Sequence, residues 1–159
     1  MGRSVGADHF AMPRGSTALS VPSCVKKIVP SLFTANSSGS GVPAGFWIRA
    51  AANGARSQDY LFDPAKSVGS RVPVPVDLGA EGDQVFLSLY GTGFRGASQA
   101  TATVGGVNVV AAFAPVAAYV GEDVVNIGPL PRSLAGRGQV DIVTTFDGKD
   151  ANIVTTIIR

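Results

Sequence analysis

One cysteine, one histidine and two glutamates are all that this chain of 159 residues offers to the commonest site chemistries. Cys24 alone excludes an internal disulfide and any metal site built from several thiolates. His9 stands in an N-terminal stretch without periodicity, so a Ser-His-Asp triad or a Cys24–His9 pair would lack the rigid surroundings such chemistry needs. Residues 37–41, SSGSG, do not have the order of a Gly-x-Ser-x-Gly elbow and read as a loop. No apolar run reaches the length of about 18 residues that a membrane span requires. The opening MGRSVGADHFAMPRGSTALS also has no continuous hydrophobic segment, so it does not read as an intact export signal.

Charge is scarce too, at 15% of residues against 45% hydrophobic, which favours a folded body. The pI of about 8.9 suggests a basic protein, but the charge is unevenly placed. Arg3, Arg14, Lys26 and Lys27 against Asp8 give residues 1–27 a balance of +3; the whole chain is +2, leaving the remainder at −1. With no Lys/Arg cluster in that remainder, a phosphate-binding surface is not expected, and nucleic acid drops out of the expected partners.

Two parts follow. Residues 1–27 read as a leader or linker, and residues 28–159 as one domain. Within the domain, short stretches rich in Val, Ile, Thr, Phe and Tyr are separated by turn residues. They predict strands at 46–50, 59–62, 72–78, 84–90, 101–104, 107–113, 124–127, 139–146 and 152–158. In VFLSLYG, Val85, Leu87 and Leu89 share one face while Phe86, Ser88 and Tyr90 share the other. VPVPV (72–76) alternates proline, which cannot donate to a ladder, and so belongs on an edge or at the start of a strand. QVDIVTTFDGKDANIVTTII predicts a hairpin turning at Asp147-Gly148-Lys149, with Val140, Ile142 and Thr144 toward the core and Ile153 and Thr155 opposite. Only LPRSLAGRG (130–138) suggests a helical turn, opened by Pro131 and closed by Gly136. The pattern predicts an all-β antiparallel sandwich.

QVFLSLYGTGFRG is the most suggestive segment. Gly91, Gly93 and Gly96 match Gly-x-Gly-x-x-Gly spacing, but a strand approach, ASQATATV, follows where a dinucleotide or phosphate loop needs a helix. The expectation is a corner in which Gly91 and Gly93 take positive φ and Phe94 turns into the core. The loop acids Glu81, Asp83, Glu122 and Asp123 allow three readings. They are turn residues, with Asp83 and Asp123 accepting backbone N–H groups, or oxygen ligands for calcium, or an acid/base pair for glycoside cleavage, which needs a separation of about 5 to 9.5 Å. Trp47, Tyr60, Tyr90 and Tyr119 are candidates for a sugar-stacking surface. Phe46 and Trp47 must face opposite ways if that stretch is a strand, and Trp47 suits the core side. Arg95, Arg132 and Arg137 sit in turns where they could meet a carboxylate ligand or serve as surface charge.

LYGTGF, then TATVGGVNV, then GPLPRSLAGRGQVDIVTTFDGKDANIVTTII resembles the immunoglobulin-like IPT/TIG module over about Gln84 to Ile158. PSLFTANSSGSGVPAG, GDQVFLSLYGTGFR, YVGEDVVNIGPLPRSLAGRG and DGKDAN together resemble the C-terminal immunoglobulin-like domain of large secreted bacterial proteins of unknown function. Residues 1–27 have no counterpart in that pattern. The resemblance implies an immunoglobulin-like β-sandwich acting as a noncatalytic, extracellular or cell-surface module for binding or spacing, without establishing its ligand. A carbohydrate or protein ligand is the expected partner, and no cofactor is expected apart from the calcium reading of the loop acids. Two rival readings are a small glycosidase-like hydrolase using Glu81, Asp83, Glu122 and Asp123, and a homodimer formed through an edge strand.

Overall fold

The computed structural model describes residues 27–114 and 119–159. The leader, with His9 and Cys24, lies outside the described residues except for Lys27. The fold is all-β. Its strands are β1 (Ser31–Leu32), β2 (Gly45–Ala50), β3 (Arg56–Tyr60), β4 (Pro75–Val76), β5 (Gln84–Thr92), β6 (Ala100–Val104), β7 (Val107–Ala114), β8 (Asp123–Ile127), β9 (Gly138–Phe146), β10 (Lys149–Asp150) and β11 (Val154–Ile158). Among the described residues two single 3-10 turns lie at Val68–Ser70 and Arg132–Leu134, the second where Pro131 places it. Among the described residues no helix is long and apolar enough to cross a membrane.

Hydrogen-bonded neighbours run β3-β2-β5-β8-β7-β6-β9-β11-β4, with β1 added to β5 and β10 to β9. The sheet curls because β7 divides itself: residues 107–110 pair with β6 and residues 111–114 with β8. All pairs are antiparallel except β4 with β11, so the sheet is mixed where pure antiparallel pairing was expected. β5 buries Val85, Leu87 and Leu89, as its alternation requires. Phe94 and Phe146 stack at 4.3 Å and 10°, with Phe113 beside them, inside the curl. Burial of each such ring contributes on the order of 2 kcal/mol. Thr144 and Thr156 are also wholly buried, and their hydroxyls have no partner, so they serve as shapes close to valine.

The C-terminal hairpin departs from expectation by one residue. Asp147 and Gly148 both take positive φ, 47° and 77°, which makes a two-residue turn, and Lys149 pairs with Phe146. Continuing that register would set Ile153 opposite Ile142. Instead Val154 pairs with Ile142 and Thr156 with Val140. One extra residue between β10 and β11 forms a bulge, and a one-residue shift exchanges the faces. Val154, Thr156 and Ile158 are therefore buried, whereas Ile153 is 53% exposed. Val140, Ile142 and Thr144 face the core as expected. Asn152, in the bulge, accepts the Leu32 N–H at 2.7 Å and donates to the Leu32 and Gly39 carbonyls at 3.1 and 2.9 Å. It thereby fixes β1 against the end of the hairpin.

Candidate functional site

The glycine-rich corner after β5 is a concave run of backbone N–H groups, and the protein supplies its own anion there. Asp123 Oδ2 accepts from Phe94 N at 3.0 Å and from Arg95 N at 2.9 Å, while Oδ1 accepts from Arg95 Nε at 2.8 Å. The Arg95 guanidinium also donates to the Glu122 carbonyl. Asp123 is only 8% exposed. Asp147 does the same work on the far side of the loop, accepting from Ser98 N and Gln99 N at 2.8 to 3.0 Å. The two carboxylates hold the crossing from β5 to β6, where water would otherwise have to satisfy these donors.

Of the two glycines expected at positive φ, Gly93 takes +81° and Gly91 does not. Gly91 is required for space instead: a Cβ there would lie 2.3 Å from the Ser31 carbonyl of β1. Phe94 is fully buried, as expected. A cleft of about 300 Å³ borders the corner, lined by Lys27, Ile28, Gly93, Arg95, Gly96 and Asp123.

Asp83 has a parallel role at the other end of β5, accepting from Ala52 N at 3.0 Å and Ala80 N at 3.1 Å. Glu81, its neighbour, is exposed. Asp83 precedes Gln84, the first residue of β5, whereas Asp123 pairs with Gly91 near its end. Eight residues of strand, at about 3.4 Å each, set the two pairs of acids about 27 Å apart. That is well beyond the separation a glycosidase uses, so Glu81 and Asp83 do not share a cleft with Glu122 and Asp123. Among the described residues no group of three or more His, Cys, Asp or Glu is placed to hold a metal ion. The turn arginines are engaged with backbone: Arg132 donates to the Leu78 and Gly79 carbonyls and Arg137 to the Gly105 carbonyl.

The aromatic candidates separate onto two faces. Trp47 pairs with Leu87 and packs against the core, and the Arg49 guanidinium lies 5.8 Å from its ring centre. Tyr60 pairs with Phe46, which pairs with Ser88, so the three share the face turned away from Trp47 and Leu87, with Tyr60 exposed there and Ser88 buried. Tyr90 joins that side, its ring 6.0 Å from Phe46, as do Phe86 and Ile48 by alternation. Phe33 lies beside Tyr90, donating its N–H to the Tyr90 carbonyl at 2.8 Å.

Burial pushes the Tyr90 hydroxyl above its ordinary pKa, with Glu122 and Tyr60 adding to the shift. Val124 pairs with Tyr90, and Glu122 stands two residues before Val124 at the entry to β8. Tyr119, 69% exposed, opens the turn before β8, where its carbonyl accepts from Glu122 N. Phe46, Phe33 and Phe86 belong to this strip beyond the tyrosines expected from sequence. The alternation in β2 and β5 held that signal, but the register joining the strands was needed to align them.

The sequence matches no family model, and no curated protein or solved structure matches it.

Proposed function

We propose that the chain is a noncatalytic, immunoglobulin-like binding module of a larger secreted or cell-surface protein, with the outer face of β3, β2 and β5 as its contact surface. The observation that carries this reading is the alignment of Tyr60, Phe46 and Tyr90 on one face, with Glu122 two residues before Val124, the strand partner of Tyr90. Flat rings beside a hydrogen-bond acceptor suit a carbohydrate, whose C–H faces stack and whose hydroxyls donate. The negative body charge disfavours a polyanion on the same ground. The all-β fold and the motifs of the glycine corner and the VGG hairpin are consistent with the immunoglobulin-like assignment, and extracellular placement follows from that resemblance. Hydrolysis has less support, because Asp83 and Asp123 hold turns at opposite ends of one strand.

The test is affinity electrophoresis of the full chain in gels containing soluble polysaccharides, beside the exposed-site variant Tyr60→Ala. Retardation by at least one polysaccharide is expected, weakened about tenfold in the variant if one stacking contact of roughly 1.4 kcal/mol is lost. Unaltered migration across the panel, or turnover of chromogenic glycosides or esters, would overturn the proposal.

A further inference from the structure

The two ends of the strand path differ in how they meet solvent. β4 is two residues long and carries Pro75, with Pro73 just before it, so it offers few donors to another strand. β3 is five residues long, exposed throughout, and has no proline. In its pairing with β2, Leu61 N donates to the Gly45 carbonyl and Ala51 N to the Ala55 carbonyl, which fixes the alternation. The odd-numbered residues of β3 bond to β2. Arg56, Gln58 and Tyr60 turn their N–H and C=O groups outward. Tyr60 N confirms the direction, since it donates to the neighbouring Asp59 carboxylate at 2.7 Å rather than to β2.

We propose that β3 pairs antiparallel with β3 of a second copy of this chain, about a two-fold axis through Gln58. RSQDY is self-complementary in that register. Arg56 of one copy stands opposite Tyr60 of the other on the outer face, a cation–π pair, and Gln58 meets Gln58, whose amides can donate and accept reciprocally. On the inner face Ser57 meets Asp59, hydroxyl to carboxylate. No like charges are opposed, and all five residues are used. Moving the axis to Arg56 would oppose two guanidinium groups and leave most of the strand unpaired. On pairing, Asp59 exchanges the Tyr60 N–H for the Ser57 hydroxyl, and the freed N–H reaches the Arg56 carbonyl across the axis. The two outer aromatic strips become one continuous surface, an isologous arrangement that doubles any repeating ligand's contacts.

Sedimentation equilibrium of the full chain over a wide concentration range tests this. The expected result is a reversible rise from the monomer mass of 16.2 kDa toward twice that value. Gln58→Pro removes two outward N–H groups per dimer while sparing the ladder to β2, so association should weaken at least about tenfold. Arg56→Glu should also weaken it, and combining Arg56→Glu with Tyr60→Lys should restore it by placing opposite charges across the axis. A monomer at every concentration overturns the proposal, as does a dimer that persists unchanged in both single variants. Thermal unfolding of each variant separates lost association from lost folding, and Arg56→Glu, an exposed change, decides the matter if Gln58→Pro does not fold.

Discussion

The two ends of β5 each use an aspartate to hold a turn, and they do so at very different depths. At one end Asp83 accepts two backbone N–H groups in a half-exposed loop. At the other, Asp123 accepts two backbone N–H groups and an arginine Nε while almost wholly buried. Remove Asp83 and water can reach the donors. Remove Asp123 and the donors beside Phe94 lose their acceptor where water enters poorly, while the Phe94–Phe146 stack depends on the corner they shape. Identical chemistry therefore carries unequal weight, and burial decides how much.

Asp123→Ala should give the largest effect, a loss of about 3 kcal/mol in denaturant unfolding, because the Phe94 and Arg95 backbone N–H groups lose their acceptor at a buried corner. Asp83→Ala in the same assay should cost about 1 kcal/mol, within the usual range for a turn cap open to solvent. Equal losses at the two sites would break the comparison.

Asp77, half-exposed like Asp83, adds a third case. Its carboxyl is held below the ordinary value of 3.8, first by the Gly79 N–H, then by Arg159 at 3.1 Å. A depressed folded pKa stabilises above the unfolded value, and that contribution disappears as pH falls through the folded one. Stability measured below about pH 3.8 should therefore carry a small acid-dependent slope that Asp77→Asn removes.

Much of this arrangement was legible from sequence. Alternation gave β5 and its buried face, proline marked β4 as an edge, and the turn positions of Asp83 and Asp123 indicated backbone caps. β3 was placed too late, at 59–62, because an edge strand exposed on both faces carries no apolar alternation to mark its start at Arg56. The exposure of Ile153 was misread because a bulge is invisible until the register on both sides of it is known. Asn152 shows no local reason for its place, since its partners Leu32 and Gly39 are more than a hundred residues away in sequence. The aromatic strip was only half seen for the same reason: Phe46 and Tyr90 meet through pairing between distant strands.

Whether Asp123 is a structural anchor or is free for chemistry is read most directly from amide hydrogen exchange at Phe94 and Arg95, resolved by NMR. The account predicts protection of both amides close to that of the β5 ladder, lost in Asp123→Ala under conditions where the remaining strands stay protected. Rapid exchange at Phe94 and Arg95 in the intact, folded chain would contradict it and return Asp123 to the candidates for a reacting carboxylate.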